Sequence, residues 1–286
     1  MKVSKVSVLG AGQMGSGIAQ VIATAGVTVT MIDVDQKIVT HAQEAIKSSL
    51  AKFVGKGSMT DGESLDILSR IRGSTDIKDA ADAHVIIEAV NEDLDLKKSL
   101  LRKLDSICPQ ETIFMSNTSQ FSITLLASAT NRSDRFIGTH WFNPPVLMRL
   151  VEVVKGLDTS DETANFTLEF CKRLGKETVL CRKDLKGFIT TRFIWAMRME
   201  CFRMLEEGLA SIEEIDKALK LAFNHPMGPF ELMDFGHLDL SLQVVQSLHE
   251  TYGDRFLPPQ SLINLVDAGY LGRRSGRGWY RYDKNG

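Results

Sequence analysis

Val6-Ser7-Val8-Leu9-Gly10-Ala11-Gly12-Gln13-Met14-Gly15 decides how the rest of the chain is read. Its first four residues form a short apolar strand, and the glycines follow at once. A helical pattern comes next, with Ile18, Val21, Ile22 and Ala25 on one face and Gly26 at its end. A second strand, Val27 to Ile32, stops at Asp33. Strand, Gly-rich turn, helix, strand and acid is the order of a dinucleotide-binding unit. One glycine makes a tight turn, one lets the backbone approach a pyrophosphate, and one lets helix and strand pack closely. The helix N-terminus offers free N–H groups and positive dipole to phosphate. Asp33 stands where an acid holds the ribose hydroxyls and repels a 2′-phosphate. NAD is therefore expected over NADP, although Lys37 lies nearby.

Outward from this stretch, strands and helices alternate. Gln36 to Phe53 reads as a helix, the loop Gly55-Lys56-Gly57-Ser58 follows, and Asp61 to Ile71 reads as a second helix. Together they make a helical excursion over residues 36–71. Lysines at a helix end are ordinarily solvated, and Lys52 and Lys56 by themselves imply nothing more. Val85-Ile86-Ile87-Glu88-Ala89-Val90 is a further buried strand, with a helix from Leu94 to Ile107 behind it. Thr112 to Met115 leads into Ser116-Asn117-Thr118-Ser119-Gln120. Small hydroxyl residues at the carboxyl end of a parallel strand lie where such sheets bind ligands, and they also serve as helix caps.

Phe136-Ile137-Gly138-Thr139 ends at His140, a Pro-rich turn follows, and Leu150-Val151-Glu152-Val153-Val154 reads as the next strand. A carboxylate among valines is costly to bury unless it is paired. The reading pairs Glu152 with His140, the imidazole moving a proton and the carboxylate orienting it. Taken alone, the two residues fit a satisfied core histidine and a strand-edge glutamate facing water better, and the rest of the chain has to shift that reading. After a helix over Asp161 to Leu174 and a strand at Thr178-Val179-Leu180, the alternation stops near residue 184.

Beyond Gly187 the pattern is helical. Phe188 to Leu205 is apolar almost all round and is expected to be buried on several sides. Ser211-Ile212-Glu213-Glu214 is a capping box, Asn224 to Pro229 a turn, and further helices are expected near Leu238–Leu248 and Leu262–Val266. The expected architecture is α/β: a Rossmann-type doubly wound domain over residues 1–185 and an all-helical substrate and dimerisation domain over 186–286. Excess apolar surface on the helical part predicts a homodimer.

Bulk properties exclude several classes. The 286 residues carry a net charge of −2, with 24% charged and 43% hydrophobic residues, so neither a nucleic acid nor a membrane is an expected partner. Four cysteines without C-x-x-C spacing and six histidines without ligand spacing argue against a disulfide frame and a metal site. His225 reads as part of a turn, and His237 and His249 as surface residues on helices. The first residues run straight into a strand, with no room for a signal peptide, and a cytoplasmic location is expected.

These motifs, taken in order, resemble the 3-hydroxyacyl-CoA dehydrogenase family in its short form, that of bacterial 3-hydroxybutyryl-CoA dehydrogenases. The resemblance rests on Gly10 to Ala19, Ser116-Asn117-Thr118-Ser119, the His140 to Glu152 segment, Gly187-Phe188-Ile189, His225 to Leu232, and Gly272 to Gly276. It implies reversible hydride transfer between NAD and C3 of an (S)-3-hydroxyacyl-CoA. It makes His140 the general base, Glu152 its support, and Ser119 a hydrogen-bond donor to the reacting oxygen. With the NAD pyrophosphate on the turn Gly10, Gly12, Gln13, Met14 and Gly15 already read from the residues, the resemblance maps further NAD contacts onto Asp33, Glu92, Lys97, Ser119, Asn143 and Arg274. It assigns CoA contacts to Ser49 and Lys56, with the CoA 3′-phosphate as the partner of Lys56.

The chain also departs from the family pattern. Gly187-Phe188-Ile189-Thr190-Thr191-Arg192 stands where the family has Gly-Phe-Val-Val-Asn-Arg, so Thr191 replaces the asparagine that polarises the substrate oxygen. A hydroxyl can still donate, with shorter reach than an amide. Lys186 stands for a proline, Arg274 for a lysine, and Gln120 and Trp141 are expected to reshape the acyl pocket. Two rival readings follow: the same fold acting on a non-CoA 3-hydroxy acid such as a sugar acid or carnitine-like compound, which Ser49 and Lys56 oppose, and a non-catalytic NAD-binding protein, which the intact Ser119, His140 and Glu152 oppose.

Overall fold

The structure, a computed structural model, describes residues 3–282. It divides into two compact units after Phe188. The first is built on an eight-stranded sheet in the order β3-β2-β1-β4-β5-β6-β7-β8. These strands are β1 (Lys5–Leu9), β2 (Thr28–Ile32), β3 (Ile71–Ser74), β4 (Val85–Glu88), β5 (Ile113–Ser116), β6 (Phe136–Trp141), β7 (Leu150–Lys155) and β8 (Glu177–Cys181). Neighbours from β3 to β6 run parallel, β7 turns back antiparallel to β6, and β8 runs parallel to β7.

Alternation along each strand splits the core into two layers. Val8, Met31, Ile87, Met115, Ile137 and Val153 share one apolar cluster. Leu9, Ile32, Ile86, Phe114, Phe136 and Val154 join the other. The helices α1 (Gln13–Thr24), α2 (Gln36–Gly55) and α3 (Asp61–Ser69) contribute to the first cluster, as does α6 (Asp161–Arg173). α4 (Leu94–Ile107) and α5 (Ile123–Ala127) contribute to the second. The chain leaves β1 towards β2 on one side and resumes at β4 on the other, so a topological switch point lies between β1 and β4, where such sheets bind ligands.

The second unit holds α7 (Thr190–Glu206), α8 (Ile212–Phe223), α9 (Pro229–Gly236), α10 (Leu238–Tyr252) and α11 (Gln260–Asp267). Trp195, Met199, Phe202, Phe230, Met233 and Leu248 form its core. Two buried carboxylates organise it. Asp216 on α8 accepts from the Phe230 and Glu231 N–H groups at the start of α9 and from the Tyr280 hydroxyl, each at 2.9 Å. Asp234 accepts from the Trp279 and Tyr280 N–H groups and the Tyr282 hydroxyl, at 3.0, 2.9 and 2.9 Å. Gly228 is required beside Asp216, since a Cβ there would fall 2.2 Å from its carboxyl carbon.

The structure corrects several expectations. The helical excursion stops at Ser69, and Ile71 belongs to the edge strand β3, whose Arg72-Gly73-Ser74 sequence lacks an apolar alternation. The helix expected from Phe188 begins at Thr190, because Gly187 and Phe188 both take positive φ, 76° and 45°. It is not buried all round: Phe193 is 69% exposed. An additional helix, α9, fills the segment after the Asn224 turn, started by Pro229 in its first turn. His237 lies at the α9–α10 junction with φ 73°, not within a helix. Ser211 does cap α8 in a capping box with Glu214, as the sequence predicts.

Candidate active site

The Gly-rich turn sits at the switch point, and each glycine has a separate constraint. Gly10 takes φ 97°, and a Cβ there would lie 2.5 Å from the carbonyl oxygen of Ala89, the residue that follows β4. A Cβ on Gly15 would lie 1.8 Å from the Gly10 carbonyl oxygen. At Gly12 nothing lies within 4 Å of the Cβ position. The residue caps α1 without any side-chain bond, so the first-turn N–H groups of α1 are not capped by it. Open space over uncapped amides fits the pyrophosphate of a dinucleotide. Asp33 braces the turn, its carboxylate accepting from the Ala11 and Val34 N–H groups, both at 2.7 Å. Gln13 and Met14 occupy the first turn of α1.

On the other side of the switch point a buried network joins β4, α4 and β5. Glu88, fully buried at the end of β4, accepts from Lys97 Nζ at 2.6 Å, the Val90 N–H at 2.8 Å and the Ser116 hydroxyl at 2.6 Å. Lys97 also donates to the Val90 carbonyl at 3.2 Å and pairs with Glu92 at 3.2 Å. Its three ammonium donors thus all have partners inside the protein, and the residue is only 1% exposed. The pair with Glu92 joins Lys97 to the loop that carries Ser119. Glu92 in turn accepts from the Ser119 N–H at 2.7 Å and the Thr118 hydroxyl at 3.0 Å. The serine run therefore does not cap α5. Ser122 does that, and Asp184 accepts from both Ser122 and the Thr124 N–H.

Sequence reasoning missed Glu88, although the signal was the one that singled out Glu152: an acid interrupting an apolar run. It also missed Asn117, whose Oδ1 accepts from the Trp141 N–H at 3.0 Å and ties the end of β5 to the end of β6.

His140 and Glu152 are brought together by the β6–β7 hairpin, where they are paired residues directly opposite in the ladder. His140 Nδ1 lies 2.7 Å from Glu152 Oε2, and Glu152 is wholly buried. An ionised carboxylate only accepts, so Nδ1 carries a hydrogen, and in the neutral ring the lone pair is on Nε2. The imidazole lies against Phe142 and Phe188, with ring centroids 4.8 and 5.7 Å away. Lys176 clamps the intervening turn by donating to the Pro145 and Met148 carbonyls at 2.6 and 2.8 Å. Asn143 is exposed in that turn and precedes Pro144 through a cis peptide bond.

Strand alternation places Trp141 on the opposite sheet face from His140, in the first apolar cluster and 3% exposed. The expectation that it reshapes a pocket beside His140 is therefore overturned. Gln120 is half-buried in the loop after Ser119. A cavity of about 380 Å³ lies on the Trp141 side, lined by Phe53, Met59, Val146, Leu147, Arg149 and Lys176 among others. Ser49 is half-buried on α2, one turn before Phe53, and Lys56 is exposed at the C-terminal cap of that helix.

In the second unit, Thr191 is half-buried in the first turn of α7. Arg274 is exposed and paired with Asp239 at 3.0 Å. The cysteines are free and buried, and burial pushes the Cys108 and Cys171 thiols up to about 11 and about 12, away from any nucleophilic role.

Comparison with known proteins places both parts of the chain in one family. The model of the 3-hydroxyacyl-CoA dehydrogenase NAD-binding domain matches residues 5–185, and that of the 3-hydroxyacyl-CoA dehydrogenase C-terminal domain matches 187–282. A probable 3-hydroxybutyryl-CoA dehydrogenase of Deinococcus radiodurans is 43% identical over 97% of this chain and 100% of its own. One of Bacillus subtilis is 41% identical over 99% of both chains. The crystal structure of (S)-3-hydroxybutyryl-CoA dehydrogenase from Ralstonia eutropha superposes with a TM-score of 0.95 at 42% identity, over 99% of this chain and 100% of its own. The chain is a member of the NAD-binding 3-hydroxyacyl-CoA dehydrogenase family.

Proposed function

We propose that this NAD-dependent oxidoreductase interconverts (S)-3-hydroxyacyl-CoA and 3-oxoacyl-CoA, with His140 as the general base. The observation that carries the assignment is the 2.7 Å contact between His140 Nδ1 and the buried Glu152 carboxylate, which leaves Nε2 as the proton acceptor. NAD, held over Gly12 and the α1 N-terminus, supplies the hydride acceptor. His140 Nε2 takes the proton of the 3-hydroxyl, and Glu152 faces the positive charge that then develops on the ring. The Ser119 hydroxyl, on a loop tied down by Glu92, donates to the same substrate oxygen. Thr191 replaces the family asparagine as a second donor. Asp33, Glu92, Asn143 and Arg274 serve the cofactor, Lys97 acts on it through Glu92, and Ser49 and Lys56 hold the CoA.

The two functional regions correspond to residues 1–185 for the cofactor and 186–286 for the substrate and for self-association. A homodimer through the helical unit is supported by its exposed Phe193, Leu209, Leu221 and Phe223. No helix among the described residues is long and apolar enough to cross a membrane. A cytoplasmic enzyme fits the bacterial relatives. The test is His140→Gln assayed with acetoacetyl-CoA and NADH: turnover falls about 10²–10⁴-fold if the imidazole is the base, and near-normal turnover refutes the role.

A further inference from the structure

His140 is held by chemistry at one atom and by packing elsewhere. Its Nδ1 lies 2.7 Å from Glu152 Oε2. The torsion that turns an imidazole about its Cβ–Cγ bond has broad preferences, so one contact at Nδ1 leaves the ring free to tilt. Nε2, at the far edge, moves with every tilt. Two aromatic rings lie within interaction range of the imidazole, Phe142 at 4.8 Å and Phe188 at 5.7 Å between centroids. Phe142 is half-buried two residues along the chain from His140, and Phe188 is only 7% exposed and comes from a distant turn.

The backbone beneath Phe188 is the unusual part. Its φ of 45° lies in the left-handed region, where the Cβ crowds the following carbonyl oxygen. The turn has one glycine, Gly187, and that residue already takes φ 76°, so Phe188 is the second left-handed residue in a row. Its N–H donates to the Leu185 carbonyl at 3.0 Å. The two other non-glycine residues with positive φ among those described, Asn224 and His237, are polar types that visit the region more readily. Burial alone does not call for this conformation, since no other buried member of the apolar cluster that holds Phe188 takes positive φ. Strain of this kind persists where the surroundings fix it from several sides, and it gathers at functional sites.

We infer that Phe188 is a positioning residue, whose ring holds the His140 imidazole at the tilt that keeps Nδ1 on Glu152 and aims Nε2 at the 3-hydroxyl. The inference rests on the base assignment proposed above and deepens it. Phe188 acts through His140 and takes no part in the proton transfer itself. The strained turn sets the ring against the imidazole, where a relaxed backbone would carry it elsewhere. A misplacement of about 1 Å in a reacting group can cost about 10²-fold in rate, so a wall against tilting has a kinetic effect.

The test measures acetoacetyl-CoA reduction by NADH in wild type, Phe188→Leu, Phe188→Tyr, His140→Gln and the variant combining Phe188→Leu with His140→Gln. Each is checked by its melting curve, and kcat is taken per folded molecule. Phe188→Met, also apolar and without the flat ring, is carried beside the leucine variant in case that one does not accumulate. Phe188→Leu is expected to lower kcat at least about tenfold while KM stays within about twofold. Phe188→Tyr, which keeps the ring, should retain most of the turnover. In the His140→Gln background the leucine should change the residual kcat by less than about twofold, because the ring has no imidazole left to hold. A wild-type kcat in Phe188→Leu beside a disabled His140→Gln overturns this inference alone. So does an equal loss in both backgrounds, which gives the ring a part independent of His140, or a rise in KM with kcat unmoved, which gives it to substrate binding. Near-normal turnover of His140→Gln refutes the base assignment itself.

Discussion

Glu92 accepts from the Ser119 N–H at 2.7 Å while pairing with the buried Lys97 at 3.2 Å, so a loop residue and a helix residue share one carboxylate. Lys97 is joined to the Ser119 loop through that shared group. Replacing Lys97 with methionine leaves Glu88 without its cation in a fully buried position, a change that costs about 3–5 kcal/mol when a buried pair is broken. The expected kinetic outcome is a kcat at least about tenfold lower with the NADH dissociation constant little altered, because the freed Glu92 no longer fixes Ser119. Fluorescence titration of NADH beside steady-state kinetics decides it. A large loss of NADH affinity with normal kcat would show that Lys97 touches the cofactor directly.

The dyad makes a second prediction. Glu152→Gln keeps the shape but offers a neutral amide to Nδ1, so the developing imidazolium loses its counter-charge. kcat should fall by about 10²-fold or more, and combining it with His140→Gln should add little, since residues that act as one unit are not additive. Additive losses would separate the two roles.

Gly12 and Gly15 should respond in opposite ways to added bulk. A Cβ at Gly12 meets nothing within 4 Å, so Gly12→Val should melt near wild type while NADH affinity falls at least about tenfold. A Cβ at Gly15 would strike the Gly10 carbonyl, so Gly15→Ala should fail to accumulate as folded protein. Melting curves with and without NADH separate the cases. Unchanged cofactor affinity in Gly12→Val would move the pyrophosphate elsewhere.

Thr191 bears on the family departure. Thr191→Ala should lower kcat by about 10²-fold if its hydroxyl polarises the substrate oxygen, and Thr191→Asn should retain much more activity than the alanine variant. Equal activity in all three proteins would remove Thr191 from the site.

Acid stability should trace to Asp105. Burial pushes its carboxyl up, but hydrogen bonds from the buried Arg132, the Asn131 N–H and the Asn131 amide outweigh it and leave the pKa below 3.8. A lowered folded-state pKa gives stability that is complete above the unfolded value and is lost as pH falls through the folded one. Urea midpoints of wild type should therefore hold above about pH 5 and decline as pH drops past the ordinary aspartate value. Asp105→Asn should be weaker at neutral pH and lack that part of the acid slope. The same slope in both proteins would assign it to other carboxylates.

Some features could be read from residue order because their cause is local. The β1–α1–β2 unit follows from glycine spacing, and Glu152 announced a partner by interrupting an apolar strand. The edge strand β3 could not be read, because Ile71-Arg72-Gly73-Ser74 has no alternation and is held by pairing with β2. Trp141 was assigned to the wrong side because strand alternation, and not proximity in sequence to His140, decides which face a residue lines. The Glu88–Lys97–Glu92 network joins three elements and has no spacing signature. The exposure of Phe193 likewise depends on what surrounds α7, which residue order does not contain.

The His140–Glu152 pairing across the hairpin has one more consequence. Because the two residues are matched partners in the β6–β7 ladder, a slip of one residue along either strand would turn one of them to the opposite face. The contact between them is therefore all-or-none with respect to how the hairpin is threaded. The Lys176 hydrogen bonds hold the turn that joins the two strands, and their loss by Lys176→Met should appear as a fraction of inactive molecules rather than as uniformly slower ones.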